Sequence, residues 1–151
     1  MTTITPCLLF NGQAEAAMKF YRSIFKDTKI LKTRRQNGKV TCVWFRLQGR
    51  DFMCLNGGKH KGGFTPDISF MVTVRTQREV DNLWAKLSKG GEEVACGWLR
   101  DKYGVSWQIT PKILLDYVTD KNKKKADRVF NAMLEMTKID IATLKRAYNQ
   151  K

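Results

Sequence analysis

Apolar residues along this chain follow two alternating rhythms. Leu8, Leu9 and Phe10 form a short apolar run, read as a buried strand over Thr5 to Phe10 and ended by Asn11-Gly12. Ala14, Ala17, Met18, Tyr21 and Phe25 then recur at helical spacing, which predicts an amphipathic helix from Gln13 to Phe25. Three strand signals follow, Lys29 to Arg35, Val40 to Leu47 and Asp51 to Leu55. In the middle one, Val43 and Phe45 alternate with Cys42, Trp44 and Arg46. Asn37-Gly38 and Gln48-Gly49 supply the turns, because Asn and Gly tolerate positive φ in tight hairpins. A glycine-rich loop from Asn56 to Pro66 then divides the chain.

Beyond that loop the pattern starts again. Ile68 to Val74 reads as a strand, and Thr76-Gln77-Arg78-Glu79 as a capping box that satisfies helix N-terminal donors reciprocally. Val80, Leu83, Trp84 and Leu87 mark a second helix, stopped by Gly90-Gly91. Glu92 to Cys96, Gly97 to Asp101 and Val105 to Thr110 are short strand signals, with Tyr103-Gly104 as the last hairpin turn. A strand, a helix and three strands thus occur twice, with Ala14 matching Val80 and Tyr21 matching Leu87. The halves share pattern rather than residue identity, and pattern is what sheet and helix packing constrain. After Pro111 the chain becomes helical and basic, with Ala126, Val129, Phe130 and Met133 in one stripe and Asp140 placed to cap a helix carrying Ile141, Leu144 and Tyr148. The expected organisation is one α+β domain: module one over 4–56, a connection over 57–66, module two over 67–111, and a helical appendage over 120–148.

The length of 151 residues suits one domain that needs no disulfide or metal to hold it. No apolar run approaches the roughly 18 residues a membrane span needs. Met1 to Pro6 is too short and polar to begin a secretory signal, so a cytoplasmic protein with no membrane partner is expected. Cys7, Cys42, Cys54 and Cys96 form no CxxC pair and read as reduced, mostly buried thiols. The net charge of +14 raises association with anionic partners but says nothing of fold. The positive residues read as spread over the chain, densest from Lys121 to Lys125.

The start Ile4-Thr5-Pro6-Cys7-Leu8-Leu9-Phe10-Asn11-Gly12-Gln13-Ala14-Glu15-Ala16-Ala17 resembles the PhnB-like family of the vicinal oxygen chelate superfamily. So do Phe52 to Gly58, Phe64 to Phe70, the long segment from Gly97 to Pro111, and Lys138 to Leu144. The resemblance implies paired βαβββ modules, each curling into half of an open barrel around a cavity, and a homodimer. Some members carry the label 3-demethylubiquinone 3-methyltransferase. That activity does not follow here, because no Gly-rich loop with a trailing acidic residue marks a Rossmann-type methyl-donor site.

Superfamily enzymes hold a divalent metal on His, Glu or Gln. The approximate equivalents here are Thr5, Met53, Asp67 and Gln108, of which only Asp67 and Gln108 are plausible ligands. Two weak oxygen donors do not make a tight transition-metal site, so no metal and no cofactor is expected. His60, between Lys59 and Lys61 in the glycine-rich loop, suits either an anion-binding loop or a solvated connection, and the connection is preferred. Trp98, Tyr103 and Trp107 come together on one hairpin, where the pleat allows Trp98 and Trp107 to face each other; they suit either core or dimer packing or apolar walls for a ligand, with Gln108, which donates and accepts, and Asp101 as orienting polar groups. Asp101, between Arg100 and Lys102, reads as a turn residue with a surface ion partner. The expected function is binding of a small molecule, an anionic one suiting the charge, on Phe10, Met53, Asn56, Trp98, Trp107 and Gln108. The alternative is a nucleic-acid-associated protein using Lys123, Lys124, Lys125 and Arg128 on the C-terminal helices; it is not favoured, since most aromatics fall on core stripes.

Overall fold

The computed structural model describes residues 1–57 and 63–150. It divides into two compact units, Met1–Gly63 and Phe64–Lys151, with the boundary inside the expected connection. The first unit runs β1 (Cys7–Phe10), α1 (Ala14–Ile24), β2 (Thr28–Gln36), β3 (Lys39–Leu47) and β4 (Arg50–Asn56). Its sheet has the order β1-β4-β3-β2, with β1 parallel to β4 and the other pairs antiparallel. Ala14, Ala17, Met18, Tyr21 and Ile24 bury one stripe of α1. Leu8, Phe10, Val43, Phe45, Leu47, Phe52 and Cys54 share one face of the sheet by register and are all buried, so this face takes the helix. Phe45 and Phe52 stack there with ring centroids 5.8 Å apart.

The second unit repeats the plan with β5 (Ser69–Val74), α2 (Gln77–Ser88), β6 (Glu92–Glu93), β7 (Trp98–Arg100) and β8 (Ser106–Pro111). Its strand order, β5-β8-β7-β6, is the same, and β5 is parallel to β8. Both halves are therefore βαβββ units, and neither four-stranded sheet closes on itself. The Thr76–Glu79 capping box forms as its sequence requires, and Val80 and Leu87 are fully buried. One strand falls short of expectation. The segment read as Glu92 to Cys96 keeps only Glu92–Glu93, because Cys96 and Gly97 turn through positive φ (59° and 82°). Their N–H groups donate instead to Met136 and Thr137 carbonyls at 2.7 and 2.8 Å.

Three helices follow: α3 (Lys112–Val118), α4 (Lys123–Leu134) and α5 (Ile141–Asn149). Leu114, Val129, Ile139, Leu144 and Ala147 form a buried cluster of their own. The Gln77 amide at the start of α2 locks them down: Nε2 donates to Ile139 O at 3.1 Å and Oε1 accepts from Ile141 N at 2.8 Å. Val129 and Leu144 are spent inside this cluster, while Phe130 and Leu134 remain about half exposed. Among the described residues no helix is long and apolar enough to cross a membrane.

Candidate functional site: the open faces of the two sheets

Each sheet has one face turned away from its helix, and the partly exposed side chains on that face can meet a ligand. In the first unit the register places Cys7 and Leu9 of β1, Met53 and Leu55 of β4, Trp44 and Cys42 of β3, and Lys32 and Arg34 of β2 together on it. Trp44, Met53 and Leu55 are half-buried. Farther along the same face, Arg46 holds Asp51 through two hydrogen bonds of 2.6 and 3.1 Å. That contact keeps the Asp51 carboxyl below, and the Arg46 guanidinium above, its usual range.

Of the expected site residues in this unit, only Met53 lies on the open face. Phe10 packs on the helix side, 2% exposed. Asn56 pairs with Phe10 and belongs to the same side, where both ends of its amide are engaged. Its Oδ1 accepts from Ala14 N and its Nδ2 donates to Val40 O, each at 3.0 Å. Gln13 provides no side-chain cap for α1, so Asn56 takes over that work from across the sheet.

In the second unit the open face carries Ser69, Met71 and Thr73 of β5, Gln108 of β8, and Trp98 of β7. Trp98 lies directly opposite Gln108, both half-buried, and Gln108 Nε2 donates to Ser69 Oγ at 2.8 Å. Trp107 is on the other side, opposite Leu99, with its ring centroid 5.4 Å from that of Phe70. The two tryptophans therefore do not face each other, because the hairpin turn sets a register that places Trp98 against Gln108. Asp101 is a turn residue as expected, but it is buried, 2% exposed, rather than paired at the surface. Its carboxylate accepts from Tyr103 N at 2.8 Å, Val105 N at 3.1 Å and Trp107 Nε1 at 2.9 Å.

Burial pushes the Cys54 thiol up to about 12, and burial followed by the nearby Cys42 raises Cys7. Both stay protonated near neutral pH and make poor nucleophiles. Among the described residues the donor set does not fit a superfamily metal: Met53 presents a thioether, and no group of three His, Cys, Asp or Glu side chains gathers. The Arg128 guanidinium donates to the Ala147, Tyr148 and Gln150 carbonyls at 2.7–3.2 Å and so closes the end of α5 instead of awaiting a phosphate. His60, Lys59 and Lys61 lie outside the described residues. Sequence reasoning passed over Trp44 and Ser69. Trp44 had a usable signal, an aromatic on the Cys42–Arg46 phase of a strand whose other phase runs Val43, Phe45 and Leu47; Ser69 had none.

Residues 2–110 match the family described as 3-demethylubiquinone-9 3-methyltransferase. The chain belongs to this PhnB-like family. A PhnB protein of Bacillus cereus is 38% identical with a TM-score of 0.69, and the match covers 73% of this chain and 99% of that one. Two more distant structures share the fold alone. Protein PA1353 of Pseudomonas aeruginosa is 17% identical with a TM-score of 0.63, over 74% of this chain and 98% of that one. The fosfomycin resistance protein FosX of Listeria monocytogenes, solved with Mn(II) and sulfate, is 12% identical with a TM-score of 0.54, over 70% and 88%. A comparison with curated proteins returned no match. This PhnB-like protein thus has the vicinal oxygen chelate fold, and its helices α3 to α5 lie beyond the residues the family model matches.

Proposed function

We propose that this PhnB-like protein binds a small molecule on the open face of its second sheet, with Trp98 and Gln108 as the principal contacts. One observation carries this reading: a half-buried primary amide, held by Ser69, beside a half-buried indole on a face that the unit's own helix leaves uncovered. An amide in that setting hydrogen-bonds a carbonyl, hydroxyl or carboxylate, while the indole supplies apolar contact. Trp107 supports this face from behind. Tryptophan fluorescence titrated with a panel of small carboxylates, phosphates and neutral analogues tests the proposal. An acid should bind, and Gln108→Ala should weaken it about fivefold, the worth of one hydrogen bond. A panel in which nothing binds, or binding indifferent to both Gln108→Ala and Trp98→Ala, overturns it.

The same reading includes a homodimer with an isologous interface. Phe130 and Leu134, 48% exposed each and one turn apart on α4, support it. Raising salt should tighten association between two chains of charge +14. A monomer mass by light scattering at both low and high salt removes the dimer.

A further inference from the structure

Charge is unevenly placed along the chain. Residues 1–63 hold twelve Lys and Arg against three Asp and Glu, residues 64–111 six against six, and residues 112–151 ten against five. Two of the first unit's three carboxylates are already taken. Glu15 meets Lys19 at 3.0 Å and Arg35 at 3.2 Å, and Asp51 meets Arg46. The surplus gathers on β2, where Lys29, Lys32 and Arg34 stand beside the paired Arg35 within nine exposed or half-exposed residues, with Lys39 just across the turn. β2 is the outer strand of its sheet. Lys29, Lys32 and Arg34 oppose Arg46, Trp44 and Cys42, so they form a row on one face, and none of the three makes an ion pair among the described residues.

The ribbon's shape narrows the class of partner. Two residues of strand advance about 6.7 Å, so Lys32 and Arg34 stand as separate successive cations, and Lys29 continues the row past the bulge between Ile30 and Lys32. A row this long exceeds what a small acid can neutralise. Pairing of β2 with a second copy of itself would set like charges against each other, which is how basic edge strands discourage strand addition. We propose that the β2–β3 ribbon of the first unit binds the phosphate backbone of nucleic acid, without choice of base sequence. Contacts from Lys and Arg to phosphate supply affinity through counterion release and no direct readout.

The test is fluorescence anisotropy with a random-sequence DNA duplex over roughly 50 to 200 mM salt, with anionic phosphatidylserine vesicles as the competing surface. The wild-type chain should bind the duplex, with log K falling linearly in log salt. Lys29→Gln, Lys32→Gln and Arg34→Gln together should weaken binding at least tenfold and flatten the slope by about 2.7, which is 0.9 per lost phosphate contact. All three side chains are exposed, so the variant should keep the wild-type circular dichroism spectrum. Lys32→Gln alone, with a slope change of about 0.9, gives an independent reading. Lys123→Ala, Lys124→Ala and Lys125→Ala together should leave K within about twofold, since each should carry little of the counterion release. The proposal is overturned by no duplex binding at the lowest salt, by loss that follows the α4 lysines instead, or by vesicle binding in place of duplex binding.

Discussion

Asp101→Ala removes one acceptor shared by three donors. Asp101 Oδ1 accepts from Tyr103 and Val105 N–H, and Oδ2 accepts from the Trp107 indole. The turn is also closed by backbone bonds, Asp101 N to Val105 O and Gly104 N to Asp101 O, each 2.9 Å. Those survive the substitution, so the loss is confined to the side-chain contacts. Tyr103 N is partly buried and water can take it over. Val105 and Trp107 are each 2% exposed, and an orphaned buried donor costs about 1–3 kcal/mol. Two orphans, with some water entering the space left by the carboxylate, give about 3 kcal/mol. Asp101→Asn keeps an oxygen for the two backbone donors and loses the indole bond, so it should cost about 1–2 kcal/mol. Urea unfolding followed by circular dichroism measures both, with unchanged slope showing that stability alone has moved. The order Ala worse than Asn is the signature. If both variants lie within about 0.5 kcal/mol of the parent chain, the carboxylate is not holding the turn.

Two further outcomes follow from local geometry. Gly97→Ala puts a methyl at φ +82°, 2.9 Å from Ile139 Cγ1 and 3.1 Å from Ile109 O. It should cost about 1–3 kcal/mol and raise deuterium uptake across residues 136–150; uptake and stability both unchanged would count against Gly97 as the docking point of the C-terminal helices. Backbone N–H groups of Arg75 and Thr76 and the Thr76 hydroxyl hold the Glu79 carboxyl below its usual range, the Arg75 N–H contributing most. A depressed folded pKa gives stability that is present above the unfolded value of about 4.3 and lost as pH falls through the folded one. The gap in urea midpoint between the parent chain and Glu79→Gln should therefore stay level from about pH 7 to about pH 5 and close below about pH 4. A gap that persists undiminished in stronger acid refutes the cap.

The repeated βαβββ plan was legible because helix and strand periods leave distinct apolar traces, as Ala14–Tyr21 and Val80–Leu87 show. Which phase of a strand meets the helix was less so. In Leu8-Leu9-Phe10 both phases are apolar, and nothing local shows that Phe10 turns inward while Leu9 stays 37% exposed. The relation of Trp98 to Trp107 depended on hairpin register, which a one-residue shift reverses. The shortened β6 and the diverted Arg128 both depend on partners far along the chain, Met136 and Thr137 for the first and Ala147 to Gln150 for the second. Separations of that kind leave no periodic trace.

In each unit the first strand pairs in parallel with the last, β1 with β4 and β5 with β8. This bears on how the chain comes off the ribosome. A sheet whose opening strand must wait for its closing one has its slowest contact built in, because the intervening loop has to close before the pairing is rewarded. The first sheet can be completed once Asn56 has emerged. The second must wait for Pro111, and the latch at Gln77 must wait for Ile141. Synthesis at about 5–20 residues per second separates these events by several seconds. The β1 segment, with Leu8 and Phe10 uncovered until β4 arrives, is a stretch open to a nascent-chain chaperone in that interval.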